Sequence, residues 1–252
     1  MPGGLTDSHA HLDLLKDPEA AVDAALQQGV SKIITVGCDL ESSRLALNFA
    51  ARHQCVAAAV GLHPHNAASV GRETYSELKN LAQSPGVVAV GEAGLDFYRD
   101  LSPRPAQEES FRRQIEIARQ VEKPLIVHTR AAASRTLEIL EKFAAGLTVI
   151  MHCFSLYEHV DECARRGYYM SVAGNVTYEN AGDLRRAAAQ IPSNLLLTET
   201  DCPYLTPVPR RGKPNNPENV RFTVKELALV RNTAENKLAG QIQLNFSSIF
   251  DV

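Results

Sequence analysis

The chain alternates short apolar runs with longer stretches in which apolar residues recur every three to four positions. The short runs lack the strict in–out alternation of half-exposed strands, as expected for strands covered on both faces. The longer stretches have the period of amphipathic helices. We predict strands at eight positions: 6–12, 33–36, 56–60, 87–90, 125–130, 147–154, 168–172 and 195–201.

A helical stretch follows each predicted strand. The first begins near Asp17-Pro18-Glu19, where Pro occupies an early helical position, and Gly29 ends it. The others are predicted near 41–52, 73–82, 105–122, 132–144, 156–166 and 179–190, with a further helix toward the C-terminus. This rhythm predicts an α/β fold, a (β/α)8 TIM barrel. A doubly wound open sheet is the alternative.

The length of 252 residues is that of one such barrel, so we expect a single domain over residues 1–252. The formal net charge of −3 offers no global attraction to nucleic acid. Polyanion binding would therefore depend on a local basic patch or on a metal. The longest irregular stretch, 202–217, follows the last predicted strand and is interpreted as a functional loop.

Five cysteines are scattered along the chain without a Cys-x-x-Cys pair, a pattern typical of free thiols in a reducing cytosol. The N-terminus shows no secretion signal, and no apolar run is long enough to span a bilayer. We therefore expect a cytoplasmic protein without a membrane partner. The sequence identifies no protein partner.

The pattern Asp7-Ser8-His9-Ala10-His11 ends the first predicted strand. Side chains alternate faces along a strand, so His9 and His11 point the same way. Two neutral imidazoles placed side by side can chelate a divalent transition metal. Two polar residues at the end of an ordinary strand are the alternative interpretation.

Later strands also end in groups that bind metals, and the carboxyl ends of barrel strands meet at one rim. Four imidazoles and two carboxylates suit two ions sharing a site. We predict that His9, His11 and Asp201 hold one ion, that His128 and His152 hold the other, and that Glu92 bridges them. No lysine occupies a strand end, which argues against a carbamylated-lysine bridge.

A water between the ions is the predicted nucleophile, its pKa lowered by the metals, and Asp201 is the predicted proton acceptor. Glu92 and Asp201 are thus the predicted catalytic carboxylates. Imidazole ligands suit Zn, Mn, Fe or Co, whereas Mg prefers oxygen ligands. We expect two divalent ions, with Mg, Zn and Mn as the candidates.

Six motifs together resemble the TatD family of metal-dependent deoxyribonucleases, in the order in which that family carries them. They are Asp-Ser-His-Ala-His-Leu at 7–12, Gly-Leu-His-Pro-His at 61–65, Gly-Glu-Ala-Gly-Leu-Asp at 91–96, Val-His-Thr-Arg at 127–130, Met-His-Cys-Phe-Ser at 151–155 and Glu-Thr-Asp-Cys-Pro-Tyr-Leu at 199–205. The resemblance implies a (β/α)8 barrel that hydrolyses DNA phosphodiesters, often as a 3′→5′ exonuclease, and places the metal ligands at the six positions given above. Three features depart from the family: Leu156 stands where Gly is common, 233–240 lacks the aromatic or Leu-Phe pair that usually follows Thr-x-x-Asn, and 241–252 does not resemble the usual ending.

Substrate contacts are predicted for His63, His65, Arg130 and Arg211. His63 follows the third strand, and the resemblance implies that it faces the substrate phosphate; a structural role is the alternative for both histidines. Arg130 shares the face of His128 and suits a phosphate oxygen, although a salt bridge to Asp96 or Glu199 fits equally. Arg211 belongs to a basic cluster with Arg210 and Lys213, which is either a phosphate contact or a solvated loop.

We therefore expect a DNase of low sequence specificity that acts on single strands or 3′ ends. The rival hypothesis is an amidohydrolase that cuts an amide or lactone bond of a small metabolite, because the same metal arrangement activates water toward carbonyl groups.

Overall fold

The computed structural model describes residues 4–250 and 252. Its strands all run parallel to their paired neighbours. They are β1 (Leu5–Ala10), β2 (Val30–Val36), β3 (Val56–Val60), β4 (Val87–Asp96), β5 (Leu125–Arg130), β6 (Val149–Met151), β7 (Tyr169–Val172) and β8 (Leu196–Thr198).

Helices separate the strands along the chain. They are α1 (Pro18–Gln27), α2 (Leu40–Arg52), α3 (Arg72–Ala82), α4 (Arg104–Gln120), α5 (Ala133–Phe143), α6 (Val160–Arg165), α7 (Gly182–Gln190), α8 (Val220–Val230) and α9 (Glu235–Ile249). Short 3-10 turns follow several strands, including one at Pro64–Ser69.

The strand order in the sheet is the order along the chain, from β1 to β8. A doubly wound sheet would reverse its order at a switch point, so the predicted (β/α)8 class is confirmed and the alternative is excluded. Internal contacts group the chain into two compact units, Met1–Thr35 with Cys153–Val252, and Val36–His152. We call these the first and the second unit. The single-domain boundary of 1–252 stays a prediction.

In the second unit, β3 and β4 are buried along their whole length. Two buried glutamines of α4 fix the chain where these strands end. Gln114 accepts a hydrogen bond from the N–H of Leu62 and donates to its carbonyl, both at 2.8 Å. Gln107 accepts from the N–H of Asp96 at 2.8 Å. Since a buried amide satisfies both backbone groups of Leu62, α4 holds the segment that precedes His63 in one conformation.

In the first unit, β1 pairs with β2, and β7 pairs with β8. The chain after β8 returns to β1 through a bridge between Ala10 and Cys202. The buried amide of Asn215 donates to the carbonyls of Thr200 and Tyr204 at 2.9 and 2.7 Å. The irregular stretch predicted after β8 is therefore held by a buried side chain rather than by secondary structure.

Most predicted elements lie within a few residues of the observed ones, but four differ. The strand predicted at 87–90 continues to Asp96, because Gly91 and Gly94 remain in β4, where a Cβ would meet neighbouring backbone. The strands predicted at 147–154 and 195–201 shorten to β6 and β8. The helix predicted at 156–166 consists of a 3-10 turn at Tyr157–His159 and the short α6.

The C-terminal stretch whose sequence departs from the expected pattern, 241–252, is helical up to Ile249. Helix α9 buries Leu238, Ile242 and Phe246 on one face, at the spacing of a packed amphipathic helix, and contacts β1 and β8. None of the described helices has the length and apolar character needed to cross a bilayer.

Candidate metal centre

Glu92 lies at the centre of the ligand candidates of the second unit. Its carboxylate is 3 % exposed, and one oxygen, Oε1, lies 2.7 Å from Nδ1 of His128. The same oxygen lies 3.4 Å from Nε2 of His152 and 3.7 Å from Nε2 of His63. One buried carboxylate thus gathers three imidazoles that are far apart in sequence, two of which the sequence analysis predicted as metal ligands.

Asp96 is a second buried carboxylate beside this group. Its Oδ2 lies 3.0 Å from Nε2 of His65 and 3.2 Å from Nε2 of His128. Its Oδ1 accepts from the N–H groups of Tyr98 and Arg99 at 3.0 and 2.8 Å. Burial opposes ionisation of Asp96, yet the hydrogen bonds from His128 and the Arg99 N–H outweigh it and hold the pKa of this carboxyl well below its usual range.

His128 is placed between these two carboxylates. Burial alone would lower the pKa of its imidazole, but the contacts with Asp96 and Glu92 raise that pKa above its ordinary value. A metal ligand must offer a nitrogen lone pair, so a cation bound at His128 replaces a proton. Gly94 pairs with His128 across β4 and β5. It has φ +146°, and because it lacks a Cβ the two strands can approach closely.

His9, His11 and Asp201 meet in the first unit. The Nε2 atoms of the two histidines lie 3.3 Å apart, and Nε2 of His11 lies 3.5 Å from Oδ1 of Asp201. The backbone N–H of Asp201 donates to the carbonyl of His9 at 2.9 Å. Asp201 has the left-handed backbone angle φ +54°, which a non-glycine residue seldom adopts. The three ligands predicted for one ion are therefore neighbours.

Asp7 and Thr200 fasten the two segments that carry these ligands. Both are buried, and Asp7 accepts hydrogen bonds from the Thr200 hydroxyl at 2.6 Å and from the Thr200 N–H at 2.8 Å. Burial raises the pKa of the Asp7 carboxyl to about 8 against the opposing effect of these hydrogen bonds. Asp7 lies two residues before His9, and Thr200 directly precedes Asp201.

Glu199 and Cys153 complete the polar surroundings of the first unit. The buried Glu199 accepts from the backbone N–H of Cys153 at 2.8 Å. Its carboxylate also lies within 4.8 Å of a ring nitrogen of His9. All five cysteines are free of disulfides, as predicted. Cys202 is fully buried, as expected for a packing residue, whereas Cys153 is half-buried.

The predicted substrate residues fall into two groups. His63 and His65 belong to the network around Glu92 and Asp96 described above. Arg130 and Arg211 are exposed and instead stack on tyrosines, with the guanidinium carbon of Arg130 4.0 Å from the ring centroid of Tyr98 and that of Arg211 4.0 Å from that of Tyr178. Within residues 4–250, Arg130 makes no ion pair, so the salt bridge considered for it is absent.

The donor set suits a divalent cation. Ligand atoms of His63, Glu92 and His128 all lie within 4.8 Å of one another, and Glu92 is almost fully enclosed. A buried carboxylate surrounded by imidazole nitrogens is typical of sites for Zn, Mn, Fe or Co. In the first unit, His9, His11 and Asp201 offer the same types of ligand.

These donor sets and the (β/α)8 order define the class of protein, a metal-dependent hydrolase. The family model described as TatD related DNase matches residues 6–251, and the chain belongs to this family. The family predicted from the six motifs is confirmed. The matched range includes 241–251, which is most of the C-terminal stretch whose sequence departs from the family's usual ending.

Similar proteins cover nearly the whole chain. The metal-dependent hydrolase YabD of Bacillus subtilis is 36 % identical over 98 % of this chain and 99 % of its own. The 3′-5′ ssDNA/RNA exonuclease TatD of Citrobacter koseri is 35 % identical over 94 % of each chain. The crystal structure of YJJV, a TatD homologue from Escherichia coli K12, has a TM-score of 0.93 at 28 % identity and covers all of both chains.

Asp96 is the residue that the sequence analysis did not assign to the site. It was considered there only as a salt-bridge partner of Arg130. Glu92, Gly94 and Asp96 have the same parity along β4, so strand alternation could have placed Asp96 on the face of Glu92. The signal was hidden because the strand was predicted to end before Glu92.

Proposed function

We propose that the protein is a divalent-metal-dependent nuclease that hydrolyses phosphodiester bonds of single-stranded nucleic acid from the 3′ end. The observation that carries this proposal is the buried cluster of Glu92 with His63, His128 and His152. The similarity to the 3′-5′ ssDNA/RNA exonuclease TatD of Citrobacter koseri supports the substrate and the polarity, and it extends the expected substrates to RNA.

We further propose that His9, His11 and Asp201 hold one ion and that His128 and His152 hold the other with Glu92. The bridging role of Glu92 stays a prediction. Ions held there would polarise the phosphodiester and lower the pKa of a nearby water. Mg, Mn and Zn are the candidates, and the imidazole-rich set favours Mn or Zn over Mg.

The protein's own groups then have distinct tasks. Asp201 accepts the proton of the attacking water, because its carboxylate, which is 14 % exposed, lies 3.5 Å from Nε2 of His11 in the first unit's ligand group. His63 lies on the substrate side of Glu92 in this proposal and contacts a phosphate oxygen. His65 holds its position through Asp96 and thereby orients His63, whose Nδ1 accepts from the His65 N–H at 3.2 Å.

Digestion of end-labelled oligonucleotides tests the proposal. Metal-stripped protein is reloaded with Mg, Mn, Zn or Co and given single-stranded DNA, duplex DNA or RNA labelled at the 5′ end. A 3′→5′ exonuclease shortens the labelled strand one nucleotide at a time and produces a ladder. Phosphorothioate linkages in place of the phosphodiesters at the 3′ end should stop it, because they resist hydrolysis.

The variant Glu92→Gln should abolish the ladder, whereas Glu109→Gln on the outside of α4, where the side chain is 53 % exposed, should leave it unchanged. This pair excludes a contaminating nuclease. A panel of lactones and amides is assayed in parallel. Hydrolysis of a panel compound without cleavage of any oligonucleotide under any metal would support the amidohydrolase hypothesis and overturn the proposal.

A further inference from the structure

Tyr98 presents an exposed aromatic ring directly after β4. The residue is 66 % exposed, although a tyrosine of a folded protein usually buries much of its ring. The guanidinium of Arg130, at the end of β5, lies over this ring at 4.0 Å from the centroid. The N–H of Phe97 donates to the carbonyl of Arg130 at 2.9 Å, so the backbone beneath both side chains is fixed.

The exposed ring is joined to the candidate metal ligands through one carboxylate. Asp96 accepts from the N–H of Tyr98 with Oδ1, while its Oδ2 contacts His128 and His65. The backbone that carries Tyr98 is therefore tied to the same carboxylate that contacts these two histidines.

The charges around the ring suit a phosphate. Arg99 and Arg130 are both exposed, and among residues 4–250 neither side chain makes a hydrogen bond or an ion pair. The next arginine along the chain, Arg104, differs because it pairs with Asp100 at 3.2 Å. Guanidinium groups without a carboxylate partner keep their donors available for a phosphate oxygen.

We propose that Tyr98, Arg99 and Arg130 form a binding site for one nucleotide of a single strand, with the base stacked on the tyrosine ring and the phosphate held by the arginines. We call these three residues the nucleotide platform. The inference rests on the proposed nuclease function and deepens it, because a platform of this kind selects single strands. In a duplex both faces of each internal base are covered by its neighbours, whereas an unpaired base has a face to stack.

A surface cation–π pair of Arg130 and Tyr98 without a ligand is the competing explanation, and such pairs are common. The two explanations differ in one respect. If the platform binds a base, the contribution of Tyr98 to the affinity for a strand disappears when that strand carries no bases.

Binding measured without hydrolysis tests the platform separately from the nuclease. Metal-stripped protein in EDTA is titrated into a fluorescein-labelled single-stranded DNA, and into a matched abasic strand with the same phosphates. Tyr98→Ala should raise the Kd for the base-bearing strand about tenfold, the size expected for one stacked base. Tyr98→Phe, which keeps the ring, should bind like the unmodified protein, and Leu101→Ala, which truncates another side chain that is 65 % exposed, should change nothing.

Tyr98→Ala should not change the Kd for the abasic strand, whereas Arg130→Ala should weaken binding of both strands alike. An equal loss of affinity for both strands in Tyr98→Ala, or no loss for either strand, would overturn the proposed platform. No binding of any single strand by the unmodified protein would also overturn it. If the protein binds as described but cleaves no oligonucleotide, the nuclease proposal fails and the platform stands. If it cleaves while Tyr98→Ala leaves Kd and KM unchanged, only the platform fails.

Discussion

The carboxylate of Asp7 is held by Thr200 at both oxygens, from the hydroxyl at 2.6 Å and from the N–H at 2.8 Å. This contact joins the segment of His9 and His11 to the segment of Asp201. We expect Thr200→Val to lower the free energy of unfolding by about 1–3 kcal/mol, because the substitution leaves a buried carboxyl without one of its donors. Urea unfolding monitored by circular dichroism measures the change. Thr200→Ser retains the hydroxyl and should lose clearly less; equal losses in the two variants would show that the hydrogen bond is unimportant.

Gly94 is required where β4 passes β5. A Cβ at this position would lie 2.0 Å from the carbonyl oxygen of His128, and φ is +146°. Gly94→Ala should therefore cost about 3 kcal/mol of folding free energy, since both the clash and the backbone angle oppose it. Gly240→Ala is the matched control, because Gly240 lies inside α9 with no heavy atom within 4 Å of the added methyl. That control should gain about 0.5–1 kcal/mol. A Gly94→Ala protein as stable as the original would contradict the predicted close approach.

Asp96 positions two histidines, and its loss should weaken metal binding. We expect Asp96→Asn to reduce the affinity of the stripped protein for Zn or Mn by about 10–100-fold, the usual effect of removing a group that orients a ligand. Competition against a metal-sensitive dye measures the affinity. Asp100→Asn removes a carboxylate that is 41 % exposed and should leave the affinity unchanged. Unaltered affinity in the Asp96→Asn protein would remove Asp96 from the metal centre.

Two buried cysteines should resist alkylation. Burial raises the pKa of the Cys163 thiol to about 12 and that of Cys202 still further above its usual range, so neither forms thiolate at pH 8. Iodoacetamide followed by peptide mass spectrometry should modify these residues only after unfolding in urea, which exposes all five cysteines. Rapid labelling of Cys163 in the folded protein would contradict its burial.

The same shift has a consequence for stability. Because the folded protein holds the Cys163 proton more tightly than the unfolded chain, this thiol's contribution is fully present below pH about 9, the ordinary thiol value, and is lost between pH 9 and 12. Cys163→Ala should therefore flatten the fall of unfolding free energy over that interval. An identical decrease in unfolding free energy in the two proteins would show that other groups cause it.

Arg211 stacks on Tyr178 and makes no ion pair among residues 4–250. If it contacts a phosphate, Arg211→Ala should weaken binding of all sequences alike and reduce the slope of log KM against log salt by about one. Arg186→Ala is the control, because Arg186 is an exposed arginine already paired with Asp183. An unchanged slope for Arg211→Ala would leave the 210–213 cluster as a solvated loop.

Much of the fold could be predicted because its signals are local. The Asp17 side chain that begins α1 accepts from the N–H of Ala20, as the Asp-Pro-Glu pattern indicates, and Gly29 has the positive φ of a helix stop. The length of β4 could not be predicted in this way. Glycine normally weakens a strand, and only the close approach of Gly91 and Gly94 to Ile126 and His128 of the neighbouring strand β5 explains their place in β4.

The types of metal-ligating residue could likewise be predicted from the sequence, because imidazoles and carboxylates recur where the apolar runs end. The contacts between individual ligand atoms could not be predicted, because they depend on strand register and on side-chain direction. His65 is one example: it was a candidate for substrate contact, yet its ring is directed at Asp96. Its role toward substrate remains a prediction.

By itself, the sequence determined the fold class, the family and the types of ligand, because periodicity, motif order and residue chemistry are properties of consecutive residues. The tertiary structure alone decided that Glu92 gathers three histidines, that Asp96 contacts His65 as well as His128, and that the side chain of Tyr98 is exposed. These relationships join positions tens of residues apart. They follow from register and close backbone approach, which no single segment of the chain contains.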